Sequence, residues 1–510
     1  MNSGVEGVVD WRARAAAAEF DLRPIIAGRR VDARGNVRVE TKSAVTGSAN
    51  LNYAACAESD VAAAVADAQA VWQSGAWSEL PPVARKMALL RLADLVDQRA
   101  EQLAICDLLD VGKPISAALT EAHIAAHFIR WFGEAADKWH NGTSIPAGAD
   151  CVELHLRRPR GVVAAIVPWN YPVINASLKF APALAAGNCL VLKPSELSPR
   201  SALLLAELAV EAGIPPGALN VLPGDGGTGE ALVRDAGIAM VAFTGSTRTG
   251  RRLTRTIGDS GLKPLQLECG GKSPEIVFAD ASTEDLSLVA AAIVGGSFAN
   301  SGQLCVARTR IIVHASIYEQ LLQKLVEKAA AMQCGDSFDP RTLYGPLASA
   351  KQKSSVLGYV ESGVADGGRI ELDGRQAMAG SGGAYVGPTI LTNVGQSSRI
   401  VREEIFGPVL TVHRFRSPDE ALELANQSEY GLAATVWTRD LELAHRFAAK
   451  LRAGKVKIMA TPAMTAGGGV AHESEPVGQS GFGVEGGIRG IETYTHLQAV
   501  EFSFGRMAPG

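Results

Sequence analysis

No stretch of this 510-residue chain is apolar for long enough to span a bilayer, which argues against a helical membrane protein. Its first residues, Met1 to Asp10, are polar and acidic rather than basic and then apolar, so no secretory signal is read there. Charge of one sign is also missing. A formal net charge of −4 gives no case for a nucleic-acid or membrane-surface partner. The seven cysteines, Cys56, Cys106, Cys151, Cys189, Cys269, Cys305 and Cys334, show no metal-ligand spacing, and no metal site is expected. Their odd, dispersed count reads as reduced thiols, with the cytoplasm as the expected location. A regular G-x-G-x-x-G is absent too; the stretch from Gly224 to Gly229, with Gly226 inside it, comes nearest.

What is present is length enough for two or three domains, with a clear change of pattern along it. The Arg/Ala segment before residue 20 reads as a frayed or loosely docked helix. Helices are expected from Glu58 to Trp77, Pro82 to Leu109 and Ala117 to His140. Strand–helix alternation then begins. Gly161 to Val167 and Asn188 to Lys193 are short continuous apolar runs of the kind buried on both faces of a sheet. Leu219 to Leu222 and Met240 to Phe243 continue the series, with helices at Asn175–Ala185 and Ser201–Ala212 between. The order implies a parallel, doubly wound α/β sheet of the nucleotide-binding kind. A second series runs from Ile276 through a helix at Ser282–Ala299 to Arg310–Val313, and implies a second α/β domain holding Cys305. The active site is then expected in the cleft between them. The stretches Cys151–Pro159 and Tyr494–Phe502 alternate apolar and polar residues, as strands with one exposed face do.

Three local patterns carry chemistry. Cys305 closes the turn Asn300-Ser301-Gly302-Gln303-Leu304-Cys305, Glu268 opens Glu268-Cys269-Gly270-Gly271-Lys272-Ser273-Pro274, and Asn170 follows a strand in Pro168-Trp169-Asn170-Tyr171-Pro172. A thiolate is a nucleophile, a carboxylate can activate water, and an amide side chain can stabilise an oxyanion. Two more patterns suit a dinucleotide. Lys193-Pro194-Ser195-Glu196 follows a buried strand, where a lysine and a carboxylate can bond adjacent ribose hydroxyls. Phe243-Thr244-Gly245-Ser246 leads into a helix start, where backbone N–H groups of Gly245 and Ser246 favour a pyrophosphate and Gly250 allows close approach. Glu196 would repel a 2′-phosphate, so NAD is favoured, with NADP possible.

With Glu403-Glu404-Ile405-Phe406-Gly407-Pro408 these motifs fall in a fixed order, and the chain closely resembles the aldehyde dehydrogenase superfamily from about Ile25 to about Val500. The resemblance implies two doubly wound α/β domains and a small β oligomerisation arm. Residues 22–141 and 160–268 would bind NAD, 269–475 would be catalytic, and 142–159 with 490–508 would form the arm of a homodimer or homotetramer. It implies Cys305 as nucleophile, Glu268 as base and Asn170 as oxyanion donor. The cofactor side would comprise Pro168, Trp169, Lys193, Ser195, Glu196, Gly226, Phe243, Gly245, Ser246, Gly250 and Gly270. Glu404 and Phe406 match residues that hold the nicotinamide ribose and ring. The loop at Gly226 is one residue shorter than usual, which puts its cofactor contact in question. Lys179 matches a lysine that relays protons from the base, with a solvated helix lysine as the alternative. The usual glutamate of that relay falls near Ile488, which is not ionisable, so a weakened or water-served relay is expected.

The implied reaction is oxidation of an aldehyde to a carboxylic acid through a cysteine thiohemiacetal and thioester. Leu178 stands where many relatives have tryptophan, and the loop from Lys457 to Gly469 is small and apolar, which favours a bulky apolar or aromatic aldehyde. The stretches Gly112–Ser116 and Ala135–Lys138 resemble relatives acting on amino-aldehydes or semialdehydes instead. Transfer of the thioester to coenzyme A is disfavoured by the glutamate at 268. A catalytically inactive structural protein is disfavoured by the intact set Cys305, Glu268, Asn170 and Lys193.

Overall fold

Five short parallel strands organise the first half of the molecule. In this computed structural model, which describes residues 9–140, 142–147, 150–283, 285–461 and 469–505, they stand in the order Leu219–Val221, Cys189–Lys193, Val162–Ile166, Met240–Thr244, Leu265–Glu268. Every residue of Val162–Ile166 and Cys189–Lys193 is buried, because helices cover both faces. Antiparallel edges complete an eight-stranded sheet: Ile25–Ile26 and Arg29–Arg30 on one side, Gly481–Phe482 on the other. The strand order reverses between Val162–Ile166 and Met240–Thr244, and the carboxyl side of such a reversal opens a crevice. Asn170 follows the first of these strands and Ser246 the second.

The second sheet has seven strands, in the order Arg369–Leu372, Thr389–Thr392, Val409–Phe415, Arg308–His314, Ser273–Val277, Ala433–Trp437, Lys455–Met459. All its pairings are parallel except that of Arg369–Leu372. Cys305 lies just before Arg308–His314, and Glu404 and Phe406 just before Val409–Phe415. The functional candidates of this sheet therefore sit at its amino edge, facing the carboxyl edge of the first sheet.

Several elements differ from the sequence reading. The N-terminal helix Trp11–Ala17 is docked rather than loose: Trp11 and Ala15 are buried against Ala104, Ile105 and Leu108, and Arg12 pairs with Asp336 at 2.5 Å. The helix expected from Pro82 to Leu109 is two helices, Pro82–Gln98 and Ala100–Val111, broken at Arg99 with φ −101° and ψ 17°. No glycine or proline marks that break; each half packs on the Ile115–Ala135 helix, and tertiary packing sets the bend. The helix expected from Ser282 starts at Leu286, because the Asp285 carboxylate accepts the Ser287 N–H at 2.8 Å. Cys151–Pro159 and Thr495–Ser503 form one small sheet. They pair with each other antiparallel, and Gly142–Ile145 adds a third strand on the far edge of Cys151–Pro159. Among the described residues, no helix is long and apolar enough to cross a membrane.

Candidate active site

Asn170 joins the two sheets. Its side chain is 5% exposed, and its Nδ2 donates to the Gln303 carbonyl at 3.0 Å, two residues before Cys305. An amide NH2 has two hydrogens. One is held by Gln303, which fixes the orientation of the amide. Asn175 Nδ2 approaches Asn170 Oδ1 at 3.4 Å, which agrees with that orientation.

The turn carrying Cys305 is strained. Asn300 (φ 50°), Ser301 (φ 57°) and Gly302 (φ 72°) are successively left-handed, a conformation costing about 1–3 kcal/mol at each non-glycine position. Side chains hold it in place. Ser301 Oγ donates to Gly345 O at 2.8 Å, and Gln303 accepts the Ala348 N–H at 2.8 Å. A Cβ on Gly302 would collide with the Gly407 carbonyl, so only glycine fits there. Phe406 is likewise left-handed, at φ 56°, and Gln352 Nε2 donates to its carbonyl at 2.9 Å. Its ring meets Trp169 edge-on with centroids 5.3 Å apart. Pro168 is half-buried between the strand and Asn170.

Burial dominates the electrostatics around the thiol. It pushes Cys305 up to about 12, and the carboxylates of Glu404, Glu268 and Glu485 add to the shift. A cysteine so shifted is held as the neutral thiol in the neutral pH range. Glu268 Oε1 is buried without a hydrogen-bond partner, and burial raises its carboxyl well above the usual range. Glu485 raises it further, while the Lys179 ammonium opposes the rise. Lys179 itself is fully buried and not a solvated helix lysine: its Nζ lies 2.5 Å from Glu485 Oε1 and 3.2 Å from Gln266 Oε1. The weakened or water-served environment expected from the non-ionisable Ile488 is not what is seen: Lys179 has a carboxylate partner in Glu485. Glu485 lies three residues before Ile488, just ahead of the Gly486-Gly487 turn with φ of 79° and 59°.

Across the crevice, Lys193 is 4% exposed and its Nζ stands 3.9 Å from Glu196 Oε2, whose side chain is half exposed. Ser195 Oγ accepts the Leu197 N–H at 3.2 Å and shapes that turn. Ser246 caps the Thr247–Ser260 helix by accepting the Thr249 N–H at 3.3 Å. The Gly245 N–H is not free for an anion as expected; it donates to the Glu268 carbonyl at 2.9 Å, continuing the ladder between the strands. Glycine is needed there because a Cβ would lie 2.5 Å from the Phe243 ring. A Cβ on Gly250 would lie 2.8 Å from Cys269 Sγ, and one on Gly270 would strike the Glu404 carboxylate. Glu404 accepts the Gly271 N–H at 3.0 Å, and burial pushes its carboxyl up to about 7. Gly226 starts a helix capped by Asp225, and a Cβ there would meet open space. Thr244 Oγ1, at the end of its strand, is buried without a partner. The buried cation, exposed carboxylate, orphan hydroxyl and helix start fit a dinucleotide.

A family model described as the aldehyde dehydrogenase family matches residues 31–500. The chain belongs to this family and is an enzyme of aldehyde oxidation. It is 41% identical over 502 residues to an NADP/NAD-dependent aldehyde dehydrogenase of Escherichia coli, covering 97% of this chain and 98% of that protein. An aminoacetaldehyde dehydrogenase of Pseudomonas aeruginosa is 38% identical over 497 residues, covering 96% and 97%. The solved P. syringae indole-3-acetaldehyde dehydrogenase, in complex with NAD+ and IAA, matches with a TM-score of 0.93 at 40% identity, over 97% and 99% of the two chains.

Proposed function

We propose that the enzyme oxidises its aldehyde to a carboxylic acid by covalent catalysis at Cys305. The sulfur attacks the aldehyde carbon and its proton leaves to a nearby carboxylate. Asn170 Nδ2 and the Cys305 backbone N–H hold the oxyanion of the thiohemiacetal. NAD, or NADP, supplies the hydride acceptor when bound. Lys193, Glu196, Ser246, Glu404 and Phe406 are the residues that would hold it, with Glu196 favouring NAD. Glu268 then takes a proton from water, which hydrolyses the thioester, and Lys179 with Glu485 carries that proton outward. The observation carrying this reading is the Asn170 amide fixed at 3.0 Å on the Gln303 carbonyl, beside the sulfur's own turn.

For the substrate we favour an apolar or aromatic aldehyde. Lys113 Nζ sits 2.6 Å from Glu121 Oε1, so the buried acid on that side is already neutralised. Leu178 leaves the Pro172–Ala186 helix without a bulky ring at that position. Residues 462–468 of the expected apolar loop lie outside the described residues. The second reading is an amino-aldehyde, favoured by Glu121 Oε2, which is buried without a partner, and by the aminoacetaldehyde-named relative. A panel of both aldehyde classes with NAD and with NADP, followed by cofactor reduction, separates them. Acid formed only when coenzyme A is added would overturn the hydrolytic route.

The division into residues 22–141 with 160–268 for the cofactor and 269–475 for catalysis is part of this proposal. The arm is an oligomerisation surface: Thr495–Ser503 is an edge strand with Leu497 and Phe502 exposed, and such edges ask for a partner. A homodimer or homotetramer in the cytoplasm follows from this reading, and light scattering on an arm-truncated chain would test the assembly.

A further inference from the structure

Behind Asn170 lies a group that the proposed cycle does not use. Helix Ala100–Val111 ends at Gly112 in the left-handed conformation (φ 73°), and Pro114 sets up the next helix, Ile115–Ala135. Lys113 lies on the corner between them, with its side chain 1% exposed. The corner is pinned: Ser337 Oγ donates to Gly112 O at 2.7 Å, and the Ile115 N–H donates to Ser337 O at 2.9 Å.

All three directions of the Lys113 ammonium are occupied. It donates to Glu121 Oε1 at 2.6 Å and to the Asn170 backbone carbonyl at 2.9 Å, and it lies 4.1 Å from the centre of the Tyr171 ring. The same carbonyl takes a second donor from the other side: Asn300 Nδ2 at 2.8 Å, which also reaches Gln303 O at 3.3 Å. Asn170 belongs to no helix or strand, so no ladder fixes its backbone. At its carbonyl a lysine from the helical layer and an asparagine from the strained thiol turn meet. Glu121 holds the lysine in turn.

We propose that Lys113 and Asn300 are positioning residues that clamp the Asn170 carbonyl and so aim its side-chain amide at the oxyanion. The inference rests on the proposed role of Asn170. Oxyanion donors act only when held at the place where charge develops, so a loosened backbone lowers the rate without removing the donor.

The test is a double-mutant cycle on the full-length enzyme, read as the rate of the first burst of reduced cofactor at saturating aldehyde and NAD. Lys113→Met should slow the burst by about tenfold to a hundredfold, with the aldehyde KM changed far less. In the Asn170→Ala background the same substitution should slow it no further, because the group it aims is gone. A loss of equal size in both backgrounds would mean a general structural role, and a burst within about twofold of the parent would mean no role; either overturns the proposal. Asn300→Ala runs the same cycle from the opposite side, and it decides the matter if Lys113→Met does not fold. If Asn170→Ala alone leaves the burst intact, the oxyanion reading itself fails, an outcome distinct from the failure of the clamp.

Discussion

The cofactor crevice and the thiol pocket share an edge but treat their polar groups in opposite ways. In the crevice the ionisable groups are paired or wet: Lys193 faces Glu196, whose side chain is 50% exposed, and Ser246 caps its helix. In the pocket they are half-buried and shifted. Cys305 is pushed up to about 12, and Glu268 Oε1 has no hydrogen-bond partner. Backbone strain falls on the pocket side too, at Asn300 and Ser301. Binding needs complementary groups that water can still reach. Bond-making needs groups kept from water, so that their free energy is released only in the reaction. Substitutions in the pocket should therefore cost far more turnover than those in the crevice.

The largest effect is expected at the sulfur. Cys305→Ala should lower aldehyde oxidation by at least about ten-thousandfold while cofactor binding survives, measured by steady-state rate and by titration with NAD. Residual turnover near that of the parent would remove the covalent route. Glu268→Gln should leave the first turnover in place and stall the second. A stoichiometric burst of reduced cofactor followed by a near-stationary phase is the expected trace, with acylated protein visible by mass spectrometry. Normal turnover without a burst would deny the water-activating role. Asn170→Ala should cost roughly a hundredfold in kcat, the size of one lost oxyanion donor.

How much of this could be read from the chain alone follows the same divide. Motifs at strand ends, such as Lys193–Glu196 after Cys189–Lys193 and Ser246 after Met240–Thr244, are legible because strand, turn and ligand group are contiguous. The pocket is assembled from distant segments, and there the reading names Cys305, Glu268 and Asn170 but not the groups that surround them. Glu485 was missed as the partner of Lys179 because the pair joins residues 306 positions apart, whose meeting no local pattern announces. Lys113 and Asn300 carry no local signal of their meeting at one carbonyl, nor Glu121 of its hold on the lysine. The break at Arg99 lacks any helix-breaking residue, since packing on the Ile115–Ala135 helix decides it. The engaged N–H of Gly245 depends on the register between Met240–Thr244 and Leu265–Glu268, which only pairing reveals.

The pocket's pH behaviour sharpens the contrast further. A cysteine raised to about 12 is protonated throughout the neutral range, and its thiolate fraction grows as pH rises towards that value. In the cofactor-free enzyme, alkylation of Cys305 by a neutral haloacetamide should accelerate about tenfold per unit from roughly pH 7 to roughly pH 10, without levelling off. Peptide mapping would assign the modified residue. A plateau near neutral pH would mean a preformed thiolate, and the desolvated picture of the pocket would be wrong.

The smallest effect should come from the crevice, at Glu196. Its carboxylate is half exposed and 3.9 Å from Lys193, and an ion pair so accessible to water is worth about 0–1 kcal/mol. Glu196→Gln keeps the shape and an acceptor for a ribose hydroxyl but loses the charge. The KM for NAD should rise by no more than about fivefold, with kcat unchanged. The charge also bears on a 2′-phosphate across solvent, where screening limits repulsion, so the preference for NAD over NADP should fall by only about tenfold. Steady-state kinetics with both cofactors measures the two shifts. If Glu196→Gln lowered kcat as far as Asn170→Ala does, the crevice would be part of the reacting machinery, and the division between a wet binding edge and a dry chemical one would collapse.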